Sequence, residues 1–204
     1  MDTDTDGHSP LKPESDRRPL PPAGTQYREA AVLLLLYPRN GEDYVVFTRR
    51  TDTVGHHKGQ ISLPGGSRDP EDSDAVATAL RETQEELGLD PSLVSITGTL
   101  RDTYVPVSGF VITPVVARLV LPADGEAAPP DSIFRPNEEE VAEIIEVPLR
   151  ALRDSSLHRT EVRTFNGVTH TIHYYNYGPY EIWGATGRII YEFLTAGLFT
   201  TVEQ

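Results

Sequence analysis

The stretch Arg81-Glu82-Thr83-Gln84-Glu85-Glu86-Leu87-Gly88 constrains this chain more than any other part of it. Asp72-Ser73-Asp74 offers N-cap candidates upstream, and Gly88 offers a C-terminal stop, so a helix running to Leu87 is predicted. On that helix Glu82, Glu85 and Glu86 stand at i, i+3 and i+4 and share one face. The expected core stripe is Val76, Leu80, Thr83 and Leu87, well over a quarter turn away, so the carboxylates are expected to face away from the core. At roughly 6 Å and an effective dielectric near 20, each like-charged pair costs roughly 3 kcal/mol. A solvated surface tolerates such a cluster; a cleft does so only with a cation among the carboxylates. Upstream, a short strand near Gly59 to Leu63 is expected to end in the turn Pro64-Gly65-Gly66. Ala75, Thr78 and Ala79 extend the carboxylate face with side chains small enough for a loop to pack closely. Carboxylate helix and Gly-Gly loop together suggest two halves of a metal and phosphate site.

The remaining composition narrows the chemistry. A chain of 204 residues suits one globular domain with a real core, expected over 27–200, behind an Asp-, Ser-, Pro- and Arg-rich tail at 1–26 read as disordered or loosely attached. The net charge of -13 argues against nucleic acid and anionic membrane as partners. A protein so acidic handles an anionic small molecule only by neutralising it locally, with metal ions and a few placed Arg or Lys side chains. Without cysteine there is no disulfide, no thiolate metal site and no Cys nucleophile. No apolar run reaches membrane-spanning length, and neither a signal-peptide core nor a peroxisomal address is read at the ends, so a cytoplasmic protein is expected. A homodimer is one assembly this reading allows.

Strands outnumber helices along the chain. Ala30 to Tyr37 is a continuous apolar run, as in a strand buried on both faces, and Pro38-Arg39-Asn40-Gly41 turns it back into Tyr44 to Thr48. Further strands are expected at Val94–Leu100, Phe110–Leu121 and Glu143–Val147, with a bend at Pro106–Gly109 and an excursion from Leu121 to Pro136. A short helix from Pro148 to Arg153, a hairpin around Asn166-Gly167 with arms Glu161–Phe165 and Thr169–Tyr175, and a closing helix from Trp183 to Leu194 complete the reading. The fold class is α/β (α+β), a mixed β-sheet with helices packed on it. Tyr174, Tyr175 and Tyr177 are read as sheet packing rather than as a platform for a base, and Trp183 as core.

In this order the residues resemble the Nudix hydrolases. Their box is Gly, five residues, Glu, seven residues, then Arg-Glu-U-x-Glu-Glu-x-Gly-U. Here Gly66 is followed by five residues, Asp72, eight residues and Arg81, so Asp replaces Glu, one residue is added, and Thr83 stands where an aliphatic is usual. Phe47 to Thr51, Gly59, Leu63-Pro64-Gly65-Gly66, Asp69 and Asp72 resemble the signature of the coenzyme A diphosphatase branch, which carries the same eight-residue spacing. Val107–Phe110, Thr113–Val116, Glu140-Val141, Glu146–Leu149 and Trp183–Thr186 are similar to later landmarks of that branch. Gly55 departs from it where Arg is common, and Leu63 replaces Phe.

The resemblance implies a Nudix fold, a mixed sheet sandwiched between helices with a catalytic strand-loop-helix. It implies a diphosphatase using Mg²⁺ or Mn²⁺, cutting CoA or acyl-CoA to adenosine 3′,5′-bisphosphate and (acyl-)4′-phosphopantetheine. Hard oxygen ligands suit those ions. Glu85 and Glu86 are then the principal metal ligands, Glu82 a further ligand, and a carbonyl of Gly65 or Gly66 completes the set. Arg81 would orient Glu85. The general base is Glu82 or a carboxylate of Glu138-Glu139-Glu140, of which Glu140 is the choice. Arg49, Arg50 and Lys58, with Gly65 and Gly66, are the candidate phosphate contacts, and His56 or His57 are weaker ones. Other nucleoside diphosphate derivatives (ADP-ribose, a dinucleotide) are the alternative substrates, and a non-catalytic nucleotide-binding module is the alternative class.

Overall fold

The computed structural model describes residues 21, 24–39, 41–51, 59–120, 133–165 and 168–196. Most of the expected tail, Lys58 with Gly55, His56 and His57, and the hairpin turn Asn166-Gly167 lie outside the described residues.

Everything is arranged about β1 (Arg28–Arg39). Leu33, Leu34, Leu35 and Leu36 are all buried, each worth about 1.5–3 kcal/mol relative to exposure. Because side chains alternate along a strand, the run serves two cores. Leu33, Leu35 and Tyr37 pack with Ala79, Leu87 and Phe134 on one face. Leu34 and Leu36 pack with Phe47, Ile145, Ile189 and Phe193 on the other. The double-sided burial read from the sequence is therefore present.

The strand also has partners along both edges. β2 (Glu42–Arg50) returns antiparallel, pairing Leu36 with Val45, and β7 (Phe110–Leu119) runs parallel to β1 from Arg28↔Phe110 to Leu36↔Arg118. β3 (Ile61–Ser62) and β8 (Val141–Pro148) flank β2, while β5 (Val94–Thr99) and β6 (Thr103–Val105) pair with β7. The Gly-Gly segment is more than the expected turn. Gly65–Ser67 forms a strand, β4, antiparallel to β1 with Val32↔Gly65 and Ala30↔Ser67. A second sheet is built from β9 (His158–Phe165), β10 (Val168–Tyr177) and β11 (Tyr180–Ile182) in the order β11-β10-β9. The short strands β6 and β11 have too few residues to show a period and were not foreseen.

Helix α1 (Ala75–Leu87) covers the first face; α2 (Leu149–Arg153), α3 (Gly184–Thr195) and the second sheet cover the other. Asp74 caps α1 by accepting from the Ala77 N–H, and Gly88, at φ 62°, ends it in the left-handed conformation. The buried face is Thr78, Ala79, Thr83, Glu86 and Leu87: Thr83 and Leu87 of the expected stripe are buried, while Val76 and Leu80 are only half-buried. Helix α1 has turned its small residues inward because β4 and β1 approach it closely, which carries Glu86 inward with them. Of the expected excursion, 121–132 lies outside the described residues. Its end docks on the helix terminus, where the N–H groups of Arg135 and Asn137 donate to the carbonyls of Leu87 (2.6 Å) and Glu86 (2.9 Å).

Tyr174 and Tyr175 are buried, as expected of sheet packing, but Trp183 is 43% exposed and is not core. Among the described residues no helix is long and apolar enough to cross a membrane. A Cβ on Gly187 of α3 would collide with the His173 carbonyl oxygen of β10. Gly187→Ala is therefore expected to lower unfolding free energy in urea by about 1–3 kcal/mol. Gly98→Ala, with open space around its Cβ, should stay within about 0.5 kcal/mol of the wild type.

Candidate active site

β4 and α1 meet without intervening side chains, and the two glycines make that possible. Gly65 has φ 144°, and a Cβ there would strike the Ala31 carbonyl oxygen. A Cβ on Gly66 would run into the Glu82 carboxyl group, with Cδ at 2.5 Å. The Gly65 N–H donates to Glu86 Oε2 at 3.2 Å. The strand-loop-helix inferred from sequence is thus a contact between a side-chain-free backbone and two of the three carboxylates.

Arg81 ties this arrangement together. Its Nε and Nη2 donate to Asp72 Oδ1 and Oδ2, both at 3.0 Å, the fork-to-fork geometry that only a guanidinium offers a carboxylate. Nη2 also donates to the Ser67 carbonyl at 2.9 Å and lies 3.0 Å from Glu82 Oε1, while Nη1 donates to Glu85 Oε2 at 3.0 Å. The i,i+4 pairing with Glu85 is present as read, but Asp72 is the partner held on two atoms. Asp72 also accepts from the Asp69 N–H at 2.9 Å. The Arg81 guanidinium and then that N–H hold its carboxyl well below the usual carboxylate range.

The three glutamates occupy different surroundings, contrary to the single outward face expected. The Glu85 side chain is 56% exposed, Glu82 is mostly covered, and Glu86 is 5% exposed. Burial pushes the Glu86 carboxyl up to about 7, helped by Glu82 and Glu140 and opposed by the Gly65 N–H and Arg50. Glu82 is raised too, by burial first, with Glu85 and Glu140 adding to the rise. Glu140 therefore acts electrostatically on both helix carboxylates from the far side. It is placed there by the docked segment after α1, where its N–H donates to the Asn137 carbonyl at 3.0 Å and its Oε1 accepts from Asn137 Nδ2 at 3.4 Å. Glu138 and Glu139 are exposed, and Glu140 is half-buried.

Of the cations, Arg50 is at the site: Nη1 lies 3.7 Å from Glu86 Oε1, and its buried Nε has no hydrogen-bond partner among the described residues. Arg49 is turned away, paired with Glu143 at 2.9 Å in a neighbouring groove. Lys58 falls outside the described residues. Arg50, Gly65 and Gly66 line a cleft of about 450 Å³ together with a wall of Trp183 to Thr186 and Ile189. Sequence reasoning missed that wall and the Asp72 clamp. The clamp had a local signal, an acid a fixed distance ahead of Arg81; Trp183 to Thr186 stood out only through the family resemblance, and nothing local tied them to the cleft, because the second sheet brings them in.

Among the described residues no three acidic or histidine side chains converge as a ready cage for an ion. The donor set nonetheless suits a hard divalent cation. It consists of oxygen donors only, the covered carboxylates repel one another, and the Gly66 backbone abuts Glu82 where a Cβ would obstruct it.

The NUDIX domain family matches residues 27–166. The uncharacterized Nudix hydrolase NudL of Photorhabdus laumondii is 37% identical over 166 residues, 81% of this chain and 82% of that protein. NudL of Yersinia enterocolitica is 39% identical over 163 residues, covering 79% and 77%. Among solved structures, the Nudix hydrolase RenU of M. smegmatis is 25% identical, covers 62% of this chain and 74% of its own, and superposes with a TM-score of 0.48.

A raised carboxyl makes the metal-free protein pH-sensitive. The stability contributed by protonated Glu86 is complete below its unfolded value near 4.5 and is lost as pH rises through about 7. In EDTA, wild type should therefore lose on the order of 2–3 kcal/mol relative to Glu86→Gln between about pH 5 and pH 8. Half-buried His158, whose value is lowered by desolvation, shifts stability the opposite way but is common to both proteins and cancels in the difference. Parallel pH curves from chemical denaturation would contradict this account of Glu86.

Proposed function

This chain belongs to the Nudix hydrolases and hydrolyses a phosphoanhydride; we propose that its substrate is coenzyme A or an acyl-CoA, cut at the pyrophosphate. Adenosine 3′,5′-bisphosphate and (acyl-)4′-phosphopantetheine would be the products. The supporting observation is the two-point clamp between Asp72 and Arg81. It makes the irregular box, Asp in place of Glu and one residue longer, a fully engaged one, and that irregular box is what the coenzyme A diphosphatase branch carries.

Nudix hydrolases generally use divalent ions such as Mg²⁺ or Mn²⁺. Glu82, Glu85 and Glu86 with the Gly66 carbonyl would hold the ion here, Glu82 and Glu86 lying against the Gly65-Gly66 backbone that lines the cleft. Bound there, the ion neutralises phosphoryl oxygens and lowers the pKa of a water. The chain's own contribution is positioning. Gly65 and Gly66 let the pyrophosphate approach the backbone, and Arg50 supplies a cation at the cleft. In the reaction a water oxygen bonds to one phosphorus, the bridging P–O bond breaks on the leaving side, and Glu140 takes the water's proton as general base. Glu140 is the choice because it combines partial burial with proximity to Glu82 and Glu86. Arg81 acts through Asp72, Glu82 and Glu85 rather than on the substrate.

With Mg²⁺ or Mn²⁺ and equal concentrations of CoA, dephospho-CoA, ADP-ribose and NADH, CoA should be consumed fastest, with products of the stated masses. Intact CoA beside a hydrolysed competitor would assign the site to another nucleoside diphosphate derivative. Glu85→Gln is expected to cut turnover by about 100-fold or more. Exposed Glu138→Gln should leave turnover nearly unchanged. Equal activity of Glu85→Gln and wild type would remove the enzyme assignment from this helix.

A further inference from the structure

We propose that Trp183 is the platform on which the substrate's adenine base stacks, and so a specificity-determining residue of the cleft. This rests on the reading of the substrate as an adenine nucleotide, but not on which adenine nucleotide it is. The indole lines the same cleft as the Gly65-Gly66 loop, borders the neighbouring groove beside Arg49 as well, and is 43% exposed, an unusual state for a chain's only tryptophan. It is exposed without being loose. Its ring stacks on Tyr174 at 5.9 Å between centroids and 14° between planes, and the Arg159 guanidinium lies 3.7 Å from the centroid of the same tyrosine ring. Arg159 in turn is held by Glu161 at 2.6 Å and Glu181 at 2.8 Å, and the Tyr174 hydroxyl donates to Glu161 at 3.1 Å. Arg159, Tyr174 and Trp183 thus form a braced stack whose last ring keeps exposed surface where it lines the cleft and the groove next to it.

The backbone fixes that ring as firmly. Trp183 is the N-cap residue of α3, with extended backbone angles, and Gly184 follows at φ 69° with open space around it. The glycine is therefore needed for the turn itself and not for packing. Gly187, pressed against the His173 carbonyl, anchors the first turn of α3 to β10. A platform held from below by stacking and from behind by the chain loses little freedom when a ligand arrives.

The neighbours of the indole favour a base over an aliphatic arm. Gln60, Ser62 and Thr186 share the cleft with Phe110, Ile61 and Trp183. The amide and hydroxyl groups can meet the donors and acceptors at the edge of a heteroaromatic ring, while the apolar surfaces meet its faces. An acyl chain would use the second set and leave the first without partners, and a pantetheine arm, with two amides and a hydroxyl on a flexible stem, has no flat π-face to lay on the indole.

Trp183 reports on its own role, because no other indole contributes to the emission. The wild-type protein in Mg²⁺ is titrated with AMP and, separately, with 4′-phosphopantetheine, exciting at the red edge where tyrosine does not absorb, while calorimetry follows binding. AMP is expected to quench or shift the emission along its binding isotherm, and 4′-phosphopantetheine to bind without doing so. Trp183→Ala should raise KM for the preferred nucleotide about tenfold with kcat little changed, and Trp183→Phe should restore most of the loss. Unaltered emission at saturating AMP, no AMP binding at all, or a response to phosphopantetheine alone would overturn the platform. Hydrolysis of ADP-ribose with CoA left intact would refute the coenzyme A assignment and leave the AMP response as expected. Active CoA hydrolysis with silent emission would do the reverse.

Discussion

The guanidinium of Arg81 is the interaction on which the rest of the site depends. One planar group reaches Asp72, the Ser67 carbonyl, Glu82 and Glu85, all at about 3 Å. Those acceptors come from the loop before α1, the end of β4 and α1 itself, three separate pieces of chain. In a protein of net charge -13, one cation is thereby shared among several carboxylates. Lysine would deliver the charge without the fork, and Asp72 would lose one of its two paired contacts. The added residue of the box has room because Asp72 folds back to accept from the Asp69 N–H.

That clamp works only because the sheet delivers β4 to the right place. β1 carries β2, β7 and β4 as neighbours and divides the core with its alternating leucines, so the Gly-Gly backbone is set down beside α1 by hydrogen bonding along a buried strand. The approach then dictates which face of α1 turns inward. Small residues Thr78 and Ala79 go under β4, Leu80 is left at the margin, and Glu86 is drawn below the surface. The cost of that burial appears as a carboxyl pushed up to about 7. A helix optimised only for packing would have placed Leu80 where the small residues are.

Sequence patterning therefore revealed elements more reliably than their environments. The double-faced strand, the helix with its glycine stop, the hairpin arms and the constellation of glycines and glutamates were all legible, because each is written in local residue order. The orientation of α1 was not, since its hydrophobic stripe competes with a close approach made by residues far away in the chain. Trp183 was misread as core for a related reason. Large aromatics are usually buried, but this one follows a three-residue edge strand at the N-cap position of a helix, and only the fold of the second sheet shows that it borders the cleft. Arg49 and Arg50 were indistinguishable in sequence. Strand alternation sends one to Glu143 and the other to Glu86.

The two walls of the cleft come from stretches of chain that do not overlap. Gly65, Gly66 and the helix carboxylates lie within residues 27–166, while Trp183 to Ile189 follow β10 and β11. The cleft thus draws on both runs of residues, Gln60, Ser62, Phe110 and the two glycines from the earlier and Trp183 to Ile189 from the later. If Trp183 is the platform proposed above, substitution in the later run would alter which molecule is accepted and leave the carboxylate helix as it is. A chain organised in this way can change its diet without relearning its chemistry.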